Sequence, residues 1–229
     1  MTEAVAPTKD PARTSTWQMY RAMVGIGVGC GILIVGVFQA TLPRIERNKA
    51  EALQAAIFRV LPAAKTSETY AYKAPGGFAA VEGDPGDSPR VYAGYDDQNE
   101  LVGIAVEAAG MGYQDVIGII YGYSFEDQAV IGIQVLESKE TPGLGDKIET
   151  DPGFLQNFER LDVSLAEDGA GLANAVVAVR HGEKEHPWEV DGITGATISS
   201  VAIAAILNGS AEVWASRIQQ GLDDLRGGE

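Results

Sequence analysis

Cysteine is almost absent from this chain. The single thiol, Cys30, lies within an apolar run, so neither an intrachain disulfide nor a cysteine metal cage can form. Histidine is nearly as scarce. His181 and His186 are too few for a histidine-rich metal site, and neither sits in a motif that pairs it with a serine nucleophile. There is no P-loop and no dinucleotide fingerprint. No catalytic residue and no metal ligand set is therefore expected, and any redox work must come from a cofactor. Basic charge is also in short supply. The net charge is −15; residues 50–229 hold 11 basic against 29 acidic groups, whereas residues 1–49 hold 6 against 3. So acidic a region repels nucleic acid and anionic headgroups, although a generic solubility charge accounts for it equally well.

What the chain does have is one long uncharged stretch. From Ala22 to Leu42 no charged residue occurs. These 21 residues, at about 1.5 Å each, span about 31 Å, the thickness of a bilayer core. A transmembrane helix is expected over 22–42, after a polar tail over 1–21. A cleaved signal peptide is the competing reading, but the apolar part exceeds a usual h-region and no clear A-x-A site follows. The start at Met1 adds the expectation that nothing has been removed. Lys9, Arg13 and Arg21 precede the span while Arg44, Arg47, Lys49 and Arg59 follow it, so the positive-inside count does not decide orientation. A short tail before the span and a large acidic domain after it suit a cytoplasmic N-terminus. Within the span, Gly25/Gly29 and Gly27/Gly31 form overlapping G-x-x-x-G spacings that admit a neighbouring helix, though glycine is common in membrane helices.

Beyond the span, Ile45, Leu53, Ile57 and Val60 with interspersed alanines predict a helical stalk over 43–65, ending before Pro62. The remainder, 66–229, has room for one domain with its own core. Short strands are expected at Thr69–Lys73, Arg90–Tyr95 and Leu101–Glu107, with Gly/Pro/Asp clusters at Pro75–Gly77 and Asp84–Pro89. Ile117–Tyr123 and Ala129–Leu136 read as an antiparallel pair. Asp151–Phe158 reads as a short helix, and Asn174–Arg180 and Trp188–Val190 as strands. A last helix is expected from Ser199 or Ser200, with Leu207, Ala211, Trp214 and Ile218 on one packed stripe. Asn208-Gly209-Ser210 spells a glycosylation acceptor, but inside a helical pattern it carries little weight. The fold class is α+β, with a mainly antiparallel sheet, packed helices and one N-terminal anchor.

Two stretches carry chemistry. Asp191-Gly192-Ile193-Thr194-Gly195-Ala196-Thr197-Ile198-Ser199-Ser200 places small, hydroxyl-bearing residues between a strand and the last helix. Gly195 permits backbone angles closed to other residues and Ala196 keeps the surface low, so a bulky group can approach the main chain. Thr197 and Ser199 stand just before a helix, where N–H groups and the dipole favour an anion such as a phosphate. On composition alone Thr197, Ser199 or Ser200 is simply an N-cap. The second stretch is Glu140-Thr141-Pro142-Gly143-Leu144-Gly145. Locally it is a turn, with proline presetting φ and glycine supplying a positive φ. It follows a strand directly, at a sheet end where loops carry function. Lys139 and Lys147 flank it and could meet a phosphate; as solvated surface lysines they would need no partner.

Asp191, Thr194, Gly195, Ala196 and Thr197 fill every defined position of Asp-x-x-(Ser/Thr)-Gly-Ala-Thr, and so resemble the flavinylation motif of the FMN-binding domain family. The Glu140–Gly145 block is similar to that family's second signature. With the membrane segment, the whole chain resembles the G subunits of Rnf-type electron transport complexes, relatives of the C subunits of sodium-translocating NADH:quinone reductases. The resemblance implies FMN esterified by its phosphate to Thr197, attached by a separate flavin transferase acting on FAD. Asp191, Thr194, Gly195 and Ala196 would serve recognition and cradle the product, and Thr141, Gly143, Leu144, Gly145 and Lys147 would line the ring or phosphate. It further implies a single-pass component of a bacterial inner membrane, its main domain extracytoplasmic, relaying electrons among the membrane and peripheral subunits of an ion-translocating ferredoxin:NAD oxidoreductase. Ser138 departs from the pattern, since relatives often carry histidine there. Two other readings stay open: a free-standing extracytoplasmic flavin carrier, and a cofactor-free scaffold or assembly protein whose Thr197 is only a cap.

Overall fold

A computed structural model describes residues 16–73, 77–81, 88–169 and 171–227. The expected tail up to residue 15, Pro75-Gly76 and Asp84–Asp87 lie outside the described residues. The chain divides into two units, one ending at Ala50 and the other beginning at Glu51. Helix α1 (Thr16–Val60) contains Pro43 and is long and apolar enough to cross a membrane. Large apolar side chains from Trp17 to Phe38 are exposed along it, including Ile26, Ile32 and Leu33. In water that exposure would be costly; in hydrocarbon it is the ordinary state of a spanning helix.

The second unit is built on a seven-stranded sheet. Its strands are β1 (Thr66–Lys73), β2 (Gly77–Ala80), β3 (Arg90–Tyr95), β4 (Leu101–Met111), β5 (Val116–Ser124), β6 (Ala129–Glu137) and β7 (Leu161–Asp162). They lie in the order β2-β1-β3-β4-β5-β6-β7 and every pairing is antiparallel. The expected strands are present with shifted ends. β4 runs on past Glu107 because Ala108, Ala109, Gly110 and Met111 remain paired to Ile119, Gly118, Ile117 and Val116. Small residues of weak strand propensity hid that extension, and hairpin pairing overrides them. β2 and β7 were not expected; each is short and lies at an edge. A two-stranded parallel sheet, β8 (Val177–Val179) with β9 (Glu189–Asp191), completes the strands.

Side chains alternate across the main sheet, and each face meets a helix. On one face Tyr92, Ala105 and Ile120 pack under Ala56, Ile57, Val60, Leu61 and Ala64, at and just beyond the end of α1. On the other, Val91, Ile104, Val106, Ile119 and Tyr121 pack with Ile203, Leu207, Ala211 and Ile218 of α3 (Thr197–Gln220). Leu207, Ala211 and Ile218 of the expected stripe are buried; Trp214 sits at its edge, stacked 6.5 Å from Phe78 and edge-on to Tyr72 at 6.2 Å. Helix α3 is also long and apolar enough to span a membrane, but half of that stretch is buried in this domain. Asn208 lies within α3 and accepts a hydrogen bond from Val176 N at 2.8 Å, which occupies its side chain internally. The expected helix over 151–158 is α2 (Pro152–Leu155) followed by a tighter turn over Gln156–Phe158, with the Asp151 carboxylate accepting from Phe154 N. A last short helix, α4 (Leu222–Leu225), follows α3.

Candidate functional site

Three segments converge where β6 and β9 end. From β6 the chain enters the turn over 141–144, closed by Leu144 N donating to Thr141 O at 3.1 Å, with Gly143 at φ +76° in the position that requires it. From β9 it passes through a second tight turn, Ala196 N donating to Ile193 O at 3.0 Å, with Gly195 at φ +88°. The third segment is the tip of the β4–β5 hairpin, Gly112 to Asp115. Together they line a cavity of about 380 Å³ formed by Tyr113, Glu140, Thr141, Leu144, Gly145, Gly195, Ala196, Thr197, Ile198 and Ser199.

Helix α3 begins at Thr197, earlier than the expected Ser199 or Ser200. Its N-cap is Ala196, and no side chain caps its first turn. The capping roles considered for Thr197, Ser199 and Ser200 are therefore corrected. Thr197 is exposed in the first turn of the helix. Ser199 donates instead to Glu140 Oε2. Ser200, fully buried, donates to Ala196 O and accepts from Ile193 N, both at 3.0 Å, so it fixes the turn that presents Gly195 and Thr197. A helix start left without a capping oxygen, beside an exposed hydroxyl, offers its N–H groups to an anion.

Of the residues singled out in the sequence, Thr141, Leu144, Gly145, Gly195, Ala196 and Thr197 line this cavity. Asp191, Thr194 and Lys147 do not. They line an adjoining groove of about 190 Å³ with Asp151 and His181. Asp191 faces the loop after β8: its Oδ1 accepts from Gly182 N at 2.7 Å and its Oδ2 lies 3.2 Å from His181 Nδ1. Asn157 grips the Asp191 backbone on both sides, accepting from its N–H at 3.0 Å and donating to its C=O at 3.1 Å. Gly143 serves the turn and is not among the lining residues. Lys139 is drawn away by Asp115, Nζ to Oδ2 2.6 Å. That hydrogen bond holds the Asp115 carboxyl below its ordinary pKa and raises the lysine's.

Sequence reasoning missed Tyr113, Glu140, Arg180 and His181 as lining residues. Glu140 opened the second motif, which was a signal; Tyr113 lies 27 residues before it and carried none. Arg180 and His181 line a groove of about 440 Å³ that also reaches Thr194, Gly195 and Thr197. Thr197 thus borders the cavity on one side and, on the other, a groove bearing Arg180, His181 and Glu183, whose carboxylate lies 4.0 Å from the Arg180 guanidinium.

Against known proteins, residues 112–212 match the model of the FMN-binding domain. Over 193 residues the chain is 30% identical to the G subunit of the ion-translocating oxidoreductase complex of Methanosarcina acetivorans, covering 83% of this chain and 89% of that one. The chain belongs to this G-subunit family. Another member, the G subunit of the Na(+)-translocating ferredoxin:NAD(+) oxidoreductase complex of Acetobacterium woodii, is 31% identical over 131 residues, 57% of each chain. Among solved structures, the C subunit of the Na(+)-translocating NADH-quinone reductase of Parabacteroides distasonis shares the fold, with a TM-score of 0.57 and 20% identity over 81% of this chain and 98% of that one.

The residues of this G-subunit family member fit a flavin mononucleotide. The cavity falls within the range of about 300–1,000 Å³ usual for small-ligand sites, with a few polar groups in an otherwise apolar wall. Gly145 lets the Glu140 carboxylate and the Ser199 hydroxyl pack close at the cavity wall: a Cβ there would stand 2.8 Å from Glu140 Oε2 and 2.9 Å from Ser199 Oγ. By family the chain is also a component of a membrane complex, and α1 gives it a single-pass anchor.

Proposed function

We propose that this chain carries FMN covalently, as a phosphoester on Thr197 Oγ1, and relays electrons within an ion-translocating ferredoxin:NAD oxidoreductase complex. One observation carries the reading: Thr197 is an exposed hydroxyl in the uncapped first turn of α3, bordering both the cavity and the groove of Arg180 and His181. The N–H groups and positive end of the helix, with the two basic side chains, would hold the phosphate. The wall of Leu144, Ala196 and Ile198 would take the apolar ring. In the bond-forming reaction Thr197 Oγ1 gives up its proton and takes the FMN phosphoryl group from FAD, and AMP leaves. A flavin transferase supplies the catalysis, since no general base lies among the described contacts of Thr197. Asp191 then acts at one remove, holding the loop after β8 beside the turn that presents Thr197.

When bound, the flavin supplies the electron-carrying chemistry that no side chain here provides. The chain's own part is to tether, to orient and to exclude water from one side. A tether suits a domain outside the cytoplasm, where a dissociated cofactor would be lost; the N-terminus then lies in the cytoplasm and the domain beyond the inner membrane. Electrons would pass between an iron–sulfur centre and another subunit's flavin, and the chain would not itself bind NADH.

The test is intact mass with in-gel flavin fluorescence after full denaturation, on protein made with and without a flavin transferase. The expected result is a gain of one FMN less one water, dependent on the transferase and absent in Thr197→Ala. A bare chain despite an active transferase would replace this reading with the scaffold one. Flavin attached to a chain that never copurifies with polytopic membrane subunits would favour a free-standing carrier.

A further inference from the structure

Among the described residues lining the cavity, one side chain carries a full charge, and it is acidic. Glu140 is 5% exposed. Its Oε1 accepts from Tyr113 N at 2.9 Å and Gln114 N at 3.0 Å, and its Oε2 accepts from the Ser199 hydroxyl. All three partners donate, which is the arrangement of an ionised carboxylate acting only as acceptor. The N-terminal end of α3, where Ser199 lies, favours a negative charge as well, so the cost of burying this one is met by specific partners. The surroundings are shaped to it. A Cβ on Gly112 would come within 2.6 Å of Glu140 Oε1, and one on Gly145 within 2.8 Å of Oε2. Neither lysine flanking the motif offsets the charge from within the cavity: Lys139 is paired with Asp115, and Lys147 lines the adjoining groove.

We infer that Glu140 is a positioning residue that sets the electron affinity of the site: it bolts the hairpin tip to the first turn of α3 and presents a fixed negative charge to the group held between them. This rests on the proposed FMN at Thr197. Electrons delivered by an upstream redox partner add negative charge to whatever the cavity holds. A buried carboxylate alongside opposes that addition, because like charges in a poorly screened site repel strongly. Glu140 therefore favours the oxidised form and makes the site a stronger electron donor.

The experiment uses the full-length chain, coexpressed with a flavin transferase and purified in detergent. Intact mass first establishes that FMN is attached; its absence from the wild-type chain is the failure of the tether reading and is seen before any potential is measured. Midpoint potentials of wild type, Glu140→Gln and Glu167→Gln are then compared by spectroelectrochemical titration. Glu167 lies exposed on the 166–169 turn, tied to the far half of α3 through Ser216 Oγ and Gly169 O, so it controls for loss of one acidic group at a distance. Glu140→Gln keeps the size and the acceptor for Tyr113 N and Gln114 N but removes the charge. The expected result is a positive shift of its midpoint, larger than that of Glu167→Gln, with the flavin still attached. An unshifted midpoint in flavin-loaded Glu140→Gln overturns the inference. If that variant does not accumulate folded, Glu140→Asp withdraws the charge by one methylene; a smaller positive shift supports the inference and no shift overturns it.

Discussion

The two faces of the main sheet use glycine for different ends. On the face under the end of α1, glycine closes the structure. A Cβ on Gly94 would stand 2.8 Å from Leu61 Cδ1, one on Gly103 2.8 Å from Leu61 Cδ2, one on Gly122 2.2 Å from Val60 O, and one on Gly132 3.1 Å from Val60 Cα. Backbone meets backbone there, and the side chains that join Leu61 are apolar or aromatic. On the face under α3 the sheet is covered by large side chains, Tyr121, Tyr123, Ile104 and Ile119 among them. Gly110 still serves closure on that side, since a Cβ there would stand 2.6 Å from Ile206 Cγ1. Gly145 serves closure too, since a Cβ there would stand 2.8 Å from Glu140 Oε2; at Gly195, where the covering layer ends, a Cβ would meet Leu144 Cδ2 at an ordinary 3.9 Å, and glycine leaves room beside Thr197. The same residue shuts both interfaces and, at Gly195, opens the edge beside Thr197; what differs is whether protein or cavity lies beyond the missing Cβ.

Breaking the closed face should cost most. Gly122→Val places a branched side chain against a carbonyl that cannot swing away, and about 3 kcal/mol or more of stability should be lost. The check is a thermal or denaturant melt, with Gly118→Ala on the same strand as the control. A Cβ at Gly118 meets Glu137 Cβ at an ordinary 3.7 Å, so that change should stay within about 0.5 kcal/mol. Equal melts for the two would refute the closure argument. Next in size is Ser200→Ala, which strips the buried Ile193 N–H of its acceptor and should cost about 1–3 kcal/mol. Because Ser200 also fixes the turn before Thr197, flavin attachment per folded molecule should fall with it. Gly145→Ala, whose Cβ must displace the Glu140 carboxylate or Ser199, should cost about 1–3 kcal/mol and alter flavin fluorescence without altering the mass gain.

Much of this comparison could be read in advance on one side and little on the other. The span was plain because 21 uncharged residues have few other uses, and β3, β5 and β6 were plain because β-branched and aromatic residues crowd them. Helix α3 was found from its Leu207–Ile218 stripe, yet its start was misplaced. Ser199 and Ser200 look like capping residues, and only the tertiary structure shows their hydroxyls spent on Glu140 and on the Ile193–Ala196 turn. Thr141, Leu144, Gly145 and Thr197 were legible because each sits in a contiguous motif. Tyr113 and Arg180 were not: they reach the site through hairpin and β8 geometry, which local pattern does not encode. The surroundings of Lys139 and Lys147 were not legible for a related reason. Proximity in sequence to the 141–144 turn said nothing about Asp115, which lies across the β4–β5 hairpin tip and holds Lys139 at 2.6 Å. The role of the glycines of the closed face, which lie inside the expected strands, shows only once Val60 and Leu61 are placed above them.

The smallest expected effect on stability belongs to the residue with the largest expected effect on function. Thr197 is exposed, caps nothing and, among the described contacts, makes no side-chain hydrogen bond. Threonine is also a slightly poorer helix former than alanine. Thr197→Ala should therefore leave the melting curve of the flavin-free chain within about 0.5 kcal/mol of wild type, or raise it slightly. With a transferase present, the same variant should carry no covalent flavin. A variant that melts about 1 kcal/mol or more below wild type would show that Thr197 does capping work after all, the size expected for loss of an N-cap. The split between unchanged stability and abolished attachment is what separates a hydroxyl held out for modification from one retained to start a helix.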